Sequence, residues 1–140
     1  MSEVYFTKEH EWIEFDGKIA TIGLTEHASN ELGEITFIEL PEVGASLNQG
    51  DPIGVVESLK AAHDLYAPAG GSVLEVNEDL EDTPSQVNED PQHDGWICKL
   101  ENVKEEDLET LMTEDAYEDF TNSDEEVATP LKLDDDDIDA

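Results

Sequence analysis

A β-hairpin is predicted between Gly54 and Pro68, and we expect the rest of the chain to be organised around it. The valine pair at 55–56 favours a strand that enters the turn, and the Leu-Tyr pair at 65–66 favours a strand that leaves it. The residues between them are small or polar, as turn residues are. Lys60 stands in that turn and is one of only six basic residues, all of them lysines. The hairpin therefore predicts a single cation held at a loop tip, where it can meet another protein.

Further strands are predicted on both sides of the hairpin. Apolar and β-branched segments with strand character lie at 4–15, 18–24, 34–40, 73–76 and 95–100, and Asp16-Gly17 marks a tight turn. Residues 77–94 are polar and are expected to form a loop. The sequence therefore predicts a mostly β domain.

Two helical segments interrupt the β pattern. Thr25 can cap a short helix that Gly33 ends. Between residues 104 and 120 apolar side chains recur every three or four positions, which predicts an amphipathic segment, and Thr113 can divide it into two helices. We expect one domain over residues 1–121 and an acidic, disordered tail over residues 122–140.

The charge of the chain excludes several kinds of partner. The net charge is −32, with 38 acidic and six basic residues, so nucleic acid and anionic membranes would be repelled. No apolar run is long enough to cross a membrane, and the first residues lack the basic and apolar regions of a secretory signal. We expect a cytoplasmic protein of a prokaryote whose cytoplasm is rich in salt, because salt screens such repulsion.

No catalytic or metal-binding motif is visible. The four histidines are scattered, and the chain contains no H-E-x-x-H, C-x-x-C, G-x-S-x-G or P-loop sequence. The single cysteine, Cys98, follows Trp96 and Ile97 and is expected to pack in the core. These observations favour a binding or carrier role over an enzyme and predict neither a catalytic nor a metal site.

The hairpin sequence E-S-L-K-A-A-H-D-L-Y-A-P-A-G-G, at 57–71, resembles the lipoyl-attachment hairpin of the glycine cleavage system H-protein family. It departs from the family pattern at Leu59, where valine is usual, and at His63, where a smaller residue is common. Similar motifs are K-E-H-E-W at 8–12, L-G-E-I at 32–35, V-N-E-D-P at 87–91 and G-W-I at 95–97. The resemblance extends from about residue 5 to residue 120.

This resemblance implies a barrel-sandwich hybrid fold and lipoic acid in amide linkage to Lys60. It implies a carrier that takes an aminomethyl group from glycine decarboxylase (P protein) to a tetrahydrofolate-dependent aminomethyltransferase (T protein). Dihydrolipoamide dehydrogenase (L protein) would then reoxidise the dithiol. A lipoate-protein ligase or a lipoyl/octanoyl transferase would attach the arm, and the hard chemistry would belong to the cofactor.

The resemblance also assigns roles to other residues. Glu57 and Gly71 match positions that the family uses for recognition by the attaching enzyme, although Gly71 also suits a turn that requires positive φ. Glu11 and Asp64 match positions of a groove that shelters the loaded arm, where carboxylates would hold its protonated amine. His27 is a further candidate for that groove.

Three alternatives share the hairpin. The chain could be a lipoyl relay protein that donates the group to other lipoyl domains or to a protein-modification system. It could be a biotinyl carrier, which the absence of methionines beside Lys60 disfavours. It could also be an interaction domain that is never modified.

Overall fold

The computed structural model describes residues 3–127, and the side chains of residues 3–121. Residues 3–127 contain nine strands: β1 (Glu3–Phe6), β2 (Glu11–Phe15), β3 (Ala20–Leu24), β4 (Ile35–Glu39), β5 (Ser46–Leu47), β6 (Pro52–Ser58), β7 (Ala62–Tyr66), β8 (Gly71–Val76) and β9 (Cys98–Glu101). Within the same range five helices accompany them: α1 (Glu26–Leu32), α2 (Asp79–Asp82), α3 (Gln86–Glu89), α4 (Glu105–Leu108) and α5 (Glu114–Val127).

The strands form two antiparallel sheets. Six of them pair in the order β1-β2-β3-β9-β8-β5, and the other three pair in the order β4-β6-β7. The predicted barrel-sandwich architecture, with a short early helix and a helical segment near the C-terminus, is confirmed. The hairpin β6–β7 thus belongs to the smaller sheet, and β6 lies at its centre.

A single main core lies between the sheets. The largest fully buried side chains are aliphatic and come from both sheets and from the segment after β8: Ile13, Ile22, Leu24, Leu65, Leu80, Ile97 and Leu100. Cys98 belongs to this core, as predicted, and burial raises the pKa of its thiol to about 12. The aliphatic contacts hold the small sheet in a fixed place, so the hairpin is presented on a rigid base.

A second, aromatic cluster attaches α5 to the body of the domain. Tyr117 stacks on Phe6 with ring centroids 4.7 Å apart, and its hydroxyl lies 2.8 Å from Thr25 Oγ1 and 2.7 Å from His10 Nδ1. Trp12 is buried in the same cluster. The C-terminal helix is therefore part of the folded domain.

The helix boundaries agree closely with the capping residues. Thr25 Oγ1 accepts a hydrogen bond of 3.2 Å from the Ala28 amide at the start of α1, and Gly33 ends this helix with φ of 77°. Thr113 Oγ1 accepts one of 3.3 Å from the Ala116 amide at the start of α5. The predicted division of the C-terminal segment at Thr113 is confirmed.

The structure corrects two other predictions. Residues 77–94, predicted as a loop, contain the short helices α2 and α3, whose Leu80 and Val87 are fully buried. The last strand begins at Cys98 rather than at Gly95.

At its C-terminal end α5 runs to Val127, past the predicted domain boundary at residue 121. The remainder of the predicted tail lies outside the described residues.

None of the helices between residues 3 and 127 is long and apolar enough to span a membrane.

Candidate functional site

Lys60 occupies the tip of the β6–β7 hairpin, as the sequence predicts. The strands pair in antiparallel register up to Glu57 opposite Ala62, and the Ser58 amide donates to the Ala61 carbonyl at 2.8 Å. Ser58 also stabilises the turn through its hydroxyl oxygen, which accepts from the amides of Lys60 at 3.1 Å and Ala61 at 3.2 Å. The turn is thus fixed by its own hydrogen bonds, and the Lys60 side chain is exposed.

The outer part of the Lys60 side chain lies against Gly33, the residue that ends α1. A Cβ atom built on Gly33 would lie 3.5 Å from Lys60 Cε and 3.9 Å from both Cδ and Nζ. Among the described residues, the Lys60 side chain forms no hydrogen bond or ion pair. The Gly33 backbone is therefore a close neighbour of the amine.

Asn88 of α3 holds the segment around Gly33. Its Nδ2 donates to the Gly33 carbonyl at 2.7 Å and to Ser29 Oγ at 3.2 Å, while its Oδ1 accepts from the Ile35 amide at 2.8 Å. One side chain thus satisfies backbone groups on both sides of the α1–β4 connection, where the end of a helix leaves carbonyls without partners. The backbone at Gly33, which we call the seat of Lys60, is bonded in this way to a residue 55 positions further along the chain.

The outward face of the small sheet adjoins the tip. Phe37, Glu57 and Ala62 lie side by side across the three strands, and all three are exposed. Leu59, next to Lys60 in the turn, is 79% exposed. The structure therefore places Glu57, a predicted recognition residue, on an open surface that an attaching enzyme can reach.

Glu11 is a buried carboxylate at the far end of the hairpin. It is 1% exposed, its Oε1 accepts from Thr7 Oγ1 at 3.1 Å and its Oε2 accepts from the Tyr66 amide at 2.8 Å. Burial raises the pKa of Glu11 from 4.5 to about 7, and the two hydrogen bonds limit the rise because they favour the charged form. Glu11 lines an open cavity of about 260 Å³, together with Phe6, Gln49, Tyr66, Pro68, Leu111 and Met112.

Asp64 lies between this carboxylate and the lysine along β7. Asp64 and Tyr66 are two residues apart and so share one face of the strand, and at about 3.3 Å per residue Tyr66 is roughly 20 Å from Lys60 along the chain. Asp64 is exposed and borders a different depression, which it shares with Glu39 and Gly54. The structure therefore places Glu11 and Asp64 on two different cavities.

His27 stands in α1 near the aromatic cluster. Its ring lies 4.6 Å from the His10 ring, and its Nε2 is 3.7 Å from Glu31 Oε2. It does not line the cavity beside Glu11. The histidine is thus packed at the opposite end of α1 from the Gly33 seat.

Gly71 is buried at the start of β8, in the larger sheet. Its φ is not positive, so the expectation of a left-handed turn is wrong. Instead, a Cβ atom at this position would come within 2.8 Å of the Glu101 carbonyl oxygen on β9. The close approach of two strands is the physical reason for a glycine here.

Residues 3–127 contain no group of three or more His, Cys, Asp or Glu side chains placed to hold a metal ion.

Sequence reasoning gave Gly33 only the role of ending a helix and gave Asn88 none. Both stand in motifs that carry the family resemblance, L-G-E-I and V-N-E-D-P, but nothing in the sequence indicates that these motifs meet beside Lys60. Thr7 and the Tyr66 amide, the partners of Glu11, were also missed because they lie on different strands or loops.

Comparison with known proteins agrees with this geometry. The family model described as "Glycine cleavage H-protein" matches residues 4–124. The chain is 49% identical over 123 residues to the glycine cleavage system H protein of Parvibaculum lavamentivorans, covering 88% of this chain and 98% of that protein. A putative mitochondrial H protein of Schizosaccharomyces pombe is 44% identical, over 85% of this chain and 70% of its own length. The crystal structure of an H protein from Mycobacterium marinum superposes with a TM-score of 0.77 at 32% identity, over 86% of this chain and 97% of that one.

Proposed function

Because the chain belongs to the glycine cleavage H-protein family, whose members are non-catalytic lipoyl carriers of the glycine cleavage system, we propose that Lys60 bears lipoic acid in amide linkage. The observation that carries the proposal is the exposed lysine at the tip of a rigid hairpin, with no hydrogen-bond or ion-pair partner among the described side chains. The lipoyl group would supply a redox-active dithiolane that receives and releases the aminomethyl group.

The chain's own part in this function is to present the lipoyl group to its partner proteins. Amide formation removes the positive charge of Lys60 and leaves its side chain free to move from the tip. The proposed partners are glycine decarboxylase, the tetrahydrofolate-dependent aminomethyltransferase and dihydrolipoamide dehydrogenase. Tethering raises the concentration of the arm at each partner's site, so transfer does not require tight complexes.

Recognition by the attaching enzyme is proposed for Glu57 and Gly71. Glu57 is exposed, three residues before Lys60, where an enzyme that reaches Nζ must also touch the strand. Gly71 is buried, so its part in recognition would be indirect, through the shape that the close β8–β9 contact gives the domain.

Glu11, Asp64 and His27 remain our proposal for a groove that shelters the loaded arm. Asp64 lies on β7 between Lys60 and the cavity at Glu11, and the cavity joins a buried carboxylate to apolar walls. An ionised Glu11 in this low-dielectric setting would attract the protonated amine more strongly than a solvated acid would. His27 is supported least, because it packs against His10 away from the cavity.

Replacing the two acids should shorten the lifetime of the loaded carrier. Without these counter-charges water can replace ammonia on the loaded arm, and the resulting thiohemiacetal splits into the free thiol and formaldehyde. In the double variant Glu11→Gln plus Asp64→Asn we expect this release of formaldehyde to be at least several-fold faster. The matched control is Glu105→Gln plus Asp79→Asn, which removes two exposed acids elsewhere. Equal lifetimes for the two double variants, measured by trapping formaldehyde, would remove these residues from the groove.

Reconstitution tests the function itself. The lipoylated chain, mixed with the three partner proteins, glycine, tetrahydrofolate and NAD⁺, is expected to support glycine-dependent NADH formation, which omission of any partner abolishes. If no NADH forms while the arm passes from Lys60 to another lipoyl domain, the chain is a relay protein instead.

We further propose that the protein works in a salt-rich cytoplasm. Acidic side chains cover its surface, and the net charge of −32 makes the folded chain repel itself at low salt. The thermal midpoint should therefore rise by several degrees between 10 mM KCl, which screens the repulsion weakly, and 2 M KCl, which screens it strongly. A midpoint that stays level or falls would contradict this proposal.

A further inference from the structure

Lys60 has to be presented to an attaching enzyme in a defined position, and the hairpin turn alone does not define it. Hydrogen bonds fix the backbone of the turn, whereas the side chain makes none among the described residues and its outer carbons lie close to Gly33. The seat consists of the backbone at Gly33, with φ of 77° and ψ of −153°. This conformation is accessible to glycine and leaves the space above its Cα open to the lysine.

The seat is not held by its own helix alone. The Gly33 amide donates to the Ser29 carbonyl at 3.1 Å, but the carbonyl of Gly33 and the amide of Ile35 are both bonded to Asn88. Asn88 uses both halves of its amide group, one as donor and one as acceptor. Neither aspartate nor serine can reproduce this pair of contacts at the same reach.

We propose that Asn88 is a positioning residue for acylation of Lys60. It fixes the backbone at Gly33, and that backbone sets the position of Lys60 Nζ when the attaching enzyme docks. This inference rests on the proposed function, since it assumes that Lys60 is the residue acylated.

The reaction shows why position matters. The Lys60 ammonium loses a proton, and the amine lone pair attacks the carbonyl carbon of an activated lipoyl donor, either an acyl adenylate or an acyl thioester. The new C–N bond forms as the bond from the carbonyl carbon to the leaving phosphate or thiolate breaks, and the nitrogen releases a second proton. The rate of such an attack depends steeply on how well the two reacting atoms are held together. A mobile seat spreads Nζ over many positions, so fewer encounters are productive.

The chain offers a matched control for this role. Asn77 is a buried asparagine whose Nδ2 likewise makes two hydrogen bonds, to the Asp94 and Trp96 carbonyls, each at 2.9 Å. Its side-chain partners lie in the segment before β9, and none belongs to the α1–β4 connection. Replacing Asn77 therefore removes the same kind of bonds without disturbing the seat.

The experiment measures kcat and KM for acylation of the full chain by a purified lipoate-protein ligase, with ATP and lipoate. We expect Asn88→Ala to lower kcat about tenfold or more with little change in KM, and Asn77→Ala to stay within about twofold of the wild-type chain. Thermal midpoints should fall to a similar extent in both variants, and assays are run well below them. If Asn88→Ala does not fold, Asn88→Asp is measured in its place, because aspartate keeps the acceptor for the Ile35 amide yet cannot donate to the Gly33 carbonyl.

The outcomes are distinguishable. A kcat that drops for the Asn88 variants alone supports the positioning role. Equal kcat values for the Asn88 and Asn77 variants would overturn that role and leave the proposed function intact, because the wild-type chain would still be acylated. Failure to acylate all of the chains, the wild type included, would overturn both.

Discussion

Lys60→Arg is expected to abolish lipoyl loading and, with it, all glycine-dependent NADH formation in the reconstituted system. A guanidinium stays protonated at any pH that the protein tolerates, so it has no lone pair with which to attack an activated acyl group. The charge and approximate length of the side chain are retained. Because Lys60 is exposed and makes no side-chain hydrogen bond within the described residues, the fold should not change.

The matched control is Lys18→Arg. Lys18 is also an exposed lysine in a turn, between β2 and β3. That variant should be loaded and should support NADH formation at the wild-type rate. Substantial loading of the Lys60→Arg chain would show that another residue accepts the lipoyl group, and the assignment of Lys60 would be lost.

Glu11→Gln is expected to change how the unfolding free energy depends on pH. Burial raises the pKa of Glu11 to about 7 in the folded chain, against 4.5 for the unfolded chain. Between these two values the folded state binds more protons than the unfolded state, so the contribution of Glu11 to stability is fully present below about pH 4.5 and is lost as the pH rises through 7. At about 1.4 kcal/mol per pKa unit, this loss amounts to roughly 3 kcal/mol.

Glutamine is neutral throughout this range and lacks that pH dependence. The unfolding free energy of Glu11→Gln minus that of the wild type should therefore increase by roughly 3 kcal/mol between pH 4.5 and pH 8, measured by urea denaturation in 1 M KCl. Glu78→Gln, which removes an exposed carboxylate, corrects for the loss of one negative charge. If the difference between Glu11→Gln and the wild type does not vary with pH, Glu11 has the same pKa in the folded and unfolded chains and the argument from burial is wrong.

Local sequence signals predicted the parts of the fold that depend on neighbouring residues. The hairpin with Lys60 at its tip needs only two β-prone segments and a turn, and Ser58 closes that turn with contacts no more than three residues away. The boundaries of α1 and α5 follow from hydroxyl caps at Thr25 and Thr113, which are equally local.

Features that depend on distant residues were missed. The α2 and α3 segments are polar in sequence, and only the burial of Leu80 and Val87 against the core makes them helical and ordered. Gly71 was interpreted as a turn residue, whereas its constraint comes from the Glu101 carbonyl oxygen on another strand. In the sequence, a glycine required by the close approach of two strands looks the same as a glycine required by a turn.

The site shows the same division. Lys60 is identified from its own hairpin, but the Gly33 backbone beside it is held by Asn88, which is distant in the sequence. Glu11 was expected to line a groove for the loaded arm, but the sequence did not indicate that its carboxylate accepts hydrogen bonds from Thr7 and from β7. The residue proposed to carry the lipoyl group is thus readable from the sequence, while its surroundings are not.

The mass of the intact chain tests the central claim most directly. The chain is expressed with a lipoate-attaching enzyme and a source of lipoate, its intact mass is measured, and its peptides are mapped. We predict a gain of one lipoyl group per chain, located on Lys60. A chain that keeps its unmodified mass, or that carries the group at another lysine, would contradict the account.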